Sequence, residues 1–130
     1  MPRTAFGLAG VAAALLAAPA TAHHSFAIFD QSKLEYKTGA LKQLEFVNPH
    51  AWVHMVVEDA SGKPAEWSFE AGSPLQLQGL GWRRDEFHPG DKITMGYRPM
   101  KDGSRGGQVM SVMLANGHKV CSNRGCDNGH

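Results

Sequence analysis

"AEWSFEAGSPLQLQGLG", residues 65–81, decides the fold. Its first half alternates: Trp67 and Phe69 face one way, and Glu66, Ser68 and Glu70 the other. That period of two belongs to a half-buried strand. At Ser73-Pro74 the pattern changes. Serine is a favoured N-cap, and proline suits the first helical position, where its missing N–H has no intrahelical partner to lose. Leu75, Leu77 and Leu80 follow at near-helical spacing, and Gly79 and Gly81 end the segment. A strand at 65–71 therefore runs directly into one short helix.

Upstream of it, residues 37–47 read as a strand with a bulge or bend at Gly39, and Asn48-Pro49 marks a turn. Residues 51–58 form a second strand, with Ala51, Val53, Met55 and Val57 on one face and Trp52, His54 and Val56 on the other. A hairpin connection at 59–64 leads into the third strand. Downstream, residues 82–91 are a connection ending in the turn His88-Pro89-Gly90-Asp91. Strands at 92–98 and 108–114 flank a long polar loop at 99–107. The order β-β-β-α-β-β is that of a five-stranded OB-fold-like barrel, with another small β-sandwich or split barrel as the alternative. Beyond Asn116-Gly117 the chain turns polar and glycine-rich and is expected to be loose.

The front end reads as a targeting segment. Met1-Pro2-Arg3 is a short basic start, an apolar run occupies 5–18, Pro19 breaks it, and Ala20-Thr21-Ala22 is a small-x-small cleavage pattern. The run is too short to span a bilayer as a mature helix, and no cysteine at the cut signals a lipid anchor. The expectation is a secretory signal at 1–22, an OB-like domain at 23–117 and a polar Cys/His tail at 118–130, in a periplasmic protein without a stable membrane anchor. Removing 22 of the 130 residues leaves 108, and losing Arg3 leaves 12 basic residues against 12 acidic ones. Such a balance argues against a nucleic-acid partner.

Six segments carry a resemblance: "HHSFAIFD" at 23–30, "NPHAWV" at 48–53, "EWSFEAGSP" at 66–74, "GWRRD" at 81–85, "PGDKITM" at 89–95 and "DGSRGG" at 102–107. In this order they resemble a family of small exported bacterial proteins known as a domain of unknown function. The resemblance covers His23 to about Gly117 and implies a proteobacterial periplasmic protein. It implies no activity, and it does not include the tail "HKVCSNRGCDNGH".

Cleavage after Ala22 would place a free α-amine and an imidazole on His23. Those two nitrogens can chelate one ion, and a third imidazole completes a T-shaped site suited to Cu(II). This is the donor set of a histidine brace, a likeness of site and not of family. The plain alternative is a pair of exposed polar residues at a frayed terminus. His24 is a substitute or supplement for His23. His50, beside the Asn48-Pro49 turn, is the preferred third ligand; its alternative is a turn residue bonded to backbone. His54, four residues on, is roughly 13 Å away along a strand, so one ion cannot use both. It reads better as a partly buried strand residue. Glu66 and Glu70 are candidate axial oxygens, or simply solvated.

Of the methionines, Met55, Met95, Met110 and Met113 read as core filler, and Met100, in the loop, is the one candidate soft ligand. In the tail, His118, Cys121, Cys126 and His130 have zinc-ligand chemistry, but two cysteines five apart in an oxidising compartment favour a disulfide. No nucleophile elbow, phosphate loop or nucleophile–base pair stands out. Two functions remain. One is a copper carrier or sensor using His23 and His50, with an oxidative copper enzyme as a remote variant. The other is a metal-free module binding a ligand or a periplasmic protein through Trp52, Trp82 and the loop carrying Arg105.

Overall fold

A computed structural model of the protein describes residues 26–124 and 126. The expected leader, the pair His23–His24 and His130 lie outside these residues. The described chain is mainly β: β1 (Glu35–Glu45), β2 (Trp52–Glu58), β3 (Pro64–Glu70), the helix α1 (Pro74–Gly79), β4 (Lys92–Pro99), β5 (Gly106–Met113) and β6 (Lys119–Cys121). Strand order is β3-β2-β1-β4-β5-β6, and an added parallel pairing of β3 with β5 closes the first five strands into a barrel. This is the expected OB-like architecture, now with its closure in hand.

β1 is long because it serves two partners. Residues 35–40 pair with β4 and residues 40–45 with β2, both antiparallel. Gly39 sits at this crossover, where a Cβ would collide with the Val56 main-chain oxygen. The expected irregularity lies a little later, as a bulge between Leu41 and Gln43. Gly39 is needed for close approach of two backbones and not for the bulge itself.

Ser73 caps α1 as expected: its side chain accepts from the Gln76 N–H at 3.3 Å. Leu77 projects from the helix into the barrel end and is fully buried with Leu41, Val53, Met55, Phe69, Ile93, Met95 and Tyr97. Phe69 and Tyr97 meet with centroids 4.9 Å apart, an aromatic contact across the interior.

The tail departs from expectation. Residues 119–121 extend the sheet as β6 against β5, with Val120 and Cys121 buried. Trp82 explains the docking. It is 2% exposed, stacks on Phe87 at 5.2 Å and donates its indole N–H to the Cys121 carbonyl at 2.9 Å. Trp82 is therefore a core anchor, which corrects its expected place on a ligand surface. Met113 also departs from the expected core role, being 40% exposed, whereas Met55 and Met95 are fully buried.

Candidate metal centre

The lead-in to β1 is an arm strapped across the barrel. Phe26–Ile28 is one 3-10 turn, and Phe29 then bridges Met100 in the β4–β5 loop. Two main-chain bonds fix it: Asp30 N–H to the Pro99 carbonyl at 2.8 Å, and Lys101 N–H to the Ile28 carbonyl at 2.9 Å. Ser32 donates its hydroxyl (2.6 Å) and its N–H to the Asp30 carboxylate, and holds it below the usual carboxylate range.

His50 lies in the β1–β2 loop, after the cis peptide bond Asn48–Pro49. Its neighbour Ala51 exchanges main-chain bonds with the end of β3: Ala51 N–H to Gly72 O at 2.9 Å and Ala71 N–H to Ala51 O at 2.8 Å. This lock sets His50 beside Glu70, and His50 Nδ1 lies 2.5 Å from Glu70 Oε1. The His50 side chain is 38% exposed and that of Glu70 only 14%. A neutral His50 ring with a carboxylate at Nδ1 would carry its proton there and keep the Nε2 lone pair. Metal-binding histidines are usually held by such a carboxylate, which orients the ring and raises its basicity. Glu70, expected as an axial oxygen, instead holds the His50 ring.

His50 and Glu70 line a cleft of about 510 Å³. Phe26 of the arm lines the same cleft, with Gln76, Gln108 and Ser122. His23 is three residues before Phe26, a span of at most about 10 Å of extended chain. Cys121 and Cys126 form the expected disulfide, with Cα atoms 5.8 Å apart. The bond rules out the zinc alternative for these cysteines. The loop it closes sets Ser122 and Asn123 into the cleft wall.

The remaining candidates go elsewhere. His54 lies on the outer face of β2, with Nδ1 2.7 Å from Ser68 Oγ and Nε2 3.2 Å from Glu45 Oε1. His118 pairs with Glu86 at 3.0 Å. Glu66 is bonded to Lys42 at 2.6 Å, which lowers the Glu66 carboxyl from its ordinary value. Met100 pairs with the arm and does not line the His50 cleft. Trp52 and Arg105 share a smaller cavity of about 150 Å³ with Ser68. Among the described residues no three His, Cys, Asp or Glu side chains come together as a metal group. Two of the three nitrogens of the expected site belong to His23, outside those residues.

Two pairings were missed from sequence, His50 with Glu70 and His54 with Ser68. The second was within reach: counting outward from the hairpin turn sets His54 opposite Ser68 and Trp52 opposite Glu70, as the register has them.

No described helix is long and apolar enough to cross a membrane. No curated protein and no solved structure matches the chain. A family model described as a family of unknown function, DUF6152, matches residues 11–111, a range that contains His23, His50 and Glu70 but neither cysteine. The match covers most of the 130 residues, so the chain belongs to the DUF6152 family.

Proposed function

We propose that the protein is an exported metal-binding protein, a copper carrier or sensor, whose centre combines His23 at a cleaved N-terminus with His50. One observation carries the reading. His50 is oriented by Glu70 on the wall of a cleft that Phe26, three residues after His23, also lines. The donors would be the α-amine and imidazole of His23 and Nε2 of His50, with the His24 imidazole replacing or supplementing that of His23. Three nitrogens in this arrangement favour Cu(II). Export and cleavage after Ala22 are part of the proposal, because only cleavage frees the amine. The disulfide Cys121–Cys126 supports an oxidising compartment such as the periplasm.

The test is a titration of the secreted chain. The protein is expressed with its own leader, its N-terminus is identified by mass spectrometry, and Cu(II) is added. One equivalent should bind tightly, with a nitrogen-rich EPR spectrum. The His23→Ala and His50→Ala variants, and a chain with one extra residue before His23, should bind far more weakly. Equal binding by the extended chain overturns the reading. The metal-free alternative rests on Trp52 and Arg105, which share a cavity. It predicts no copper stoichiometry in any of these proteins.

A further inference from the structure

A second cluster lies on the outer face of β1, β2 and β3. The antiparallel register sets His54 opposite Ser68 on β3, and Glu45 lies on β1 beside them. Ser68 Oγ is 2.7 Å from His54 Nδ1, and Glu45 Oε1 is 3.2 Å from Nε2, off the N–H axis. A hydroxyl donating to Nδ1 requires the tautomer with its proton on Nε2, the nitrogen that faces Glu45. The ring is mostly enclosed, its side chain 17% exposed, while that of Glu45 is 41% exposed. A nucleophile in reach of a base, and that base in reach of an acid, is the arrangement that activates a serine.

What distinguishes this trio from ordinary strand polarity is the space beside it. On its other flank Ser68 faces Gly106 across the parallel seam. A Cβ on Gly106 would collide with the Ser68 main-chain oxygen, so closure of the barrel demands glycine there. Gly106 and Gly107, which carry no side chains, line the space beside Ser68. The result is a cavity of about 150 Å³ lined by Ser68, Trp52, Arg105, Gly106 and Gly107. The volume is well below the ~300 Å³ at which drug-sized ligands begin to fit, and is of a size for a small group such as a short acyl chain. Arg105 lines this cavity and is the cation on which an oxyanion there would draw.

We propose that Ser68, His54 and Glu45 hydrolyse esters of short acyl groups. Ser68 Oγ attacks the carbonyl carbon as its proton passes to His54 Nδ1. The carbon–oxygen bond to the alcohol breaks, and the alcohol leaves with that proton. Water, deprotonated by His54, then attacks the acyl-serine, releases the carboxylic acid and restores the hydroxyl. Glu45 is a positioning residue for the imidazole.

The full chain is treated with an alkyl fluorophosphonate and mapped by mass spectrometry, and p-nitrophenyl acetate hydrolysis is followed in the presence of EDTA. Chelation separates this activity from any copper centre, so failure of one reading leaves the other standing. The adduct should fall on Ser68. Ser68→Ala, a small change at a half-buried site, should abolish both labelling and hydrolysis while keeping the wild-type circular dichroism. His54→Gln should slow labelling about 100-fold or more. Glu45→Gln should shift the pH profile of hydrolysis, a readout that also feels Glu66 and its partner Lys42 near His54. An unlabelled Ser68, or hydrolysis by Ser68→Ala equal to wild type, overturns the proposal, whether or not the His54 variant folds.

Discussion

Replacing Trp82 by phenylalanine removes one N–H and part of one ring from a site that is 2% exposed. The lost donor removes the 2.9 Å hydrogen bond to the Cys121 carbonyl, a net contribution of about 0.5–1.5 kcal/mol. The smaller ring vacates roughly 40 Å³, worth about 1 kcal/mol at ~24 cal/mol per Å³. Stacking on Phe87 survives, because a phenyl ring can keep the near-parallel 14° arrangement. The expected loss is about 1.5–2.5 kcal/mol, or roughly 6–20 °C in Tm for a domain of this size. Urea unfolding followed by circular dichroism measures it, with the midpoint moving and the slope unchanged. A loss below about 1 kcal/mol would refute the claim that Trp82 pins β6 to the barrel.

Four further outcomes are expected. Replacing both Cys121 and Cys126 by alanine opens a loop with a sequence separation of 5 and should cost about 2 kcal/mol in the chain-entropy account, read by the same urea titration. Glu70→Gln removes the charged partner of His50 and should weaken copper binding about 10- to 100-fold by competition titration, without changing the stoichiometry. Gly39→Ala drives a methyl into the Val56 carbonyl and should destabilise the barrel by about 1–3 kcal/mol, seen as a lower Tm. Burial, and then the Glu35 carboxylate 3.0 Å away, push the Tyr97 phenol well above its ordinary value. The unfolded phenol ionises first, so this contribution is intact below about pH 10 and is lost as pH rises beyond it, by at most ~1.4 kcal/mol per pH unit. Tyr97→Phe should flatten that alkaline decline in urea titrations run from pH 9 to 11.

The fold was legible where local chemistry and periodicity agree. Ser73-Pro74 supplies an N-cap and a first-turn proline together, and the alternation around Trp67 and Phe69 has the period of a strand with one face turned to the core. Closure was not legible, because the parallel contact of β3 with β5 joins segments nearly 40 residues apart and has no local signature. β6 was hidden for a related reason. "KVC" is too short to show a period, and it becomes a strand only because β5 offers an edge and Trp82 a donor. The same partnership inverted the reading of Trp82, which looks like a loop aromatic until the tail covers it. At the candidate centre, His50 could be picked out as an imidazole beside a constrained turn. That Glu70 would hold it depended on the exchange between Ala51 and residues 71–72, a tertiary fact.

The parallel seam has a dynamic consequence. It consists of three register pairs, Ser68–Gly106, Phe69–Gly107 and Glu70–Gln108, two of them ending on glycine, whereas β2 and β3 are joined by seven. A ring opens at its shortest join, so amides of 68–70 and 106–108 should exchange with solvent by a local opening less costly than global unfolding. Ser68 and Glu70 both sit on that join, and Glu70 lines both the His50 cleft and the cavity beside Ser68. A single breathing motion would therefore disturb the nucleophile on the outer face and the carboxylate behind His50 together. Whatever occupies one site and tightens the seam steadies the other.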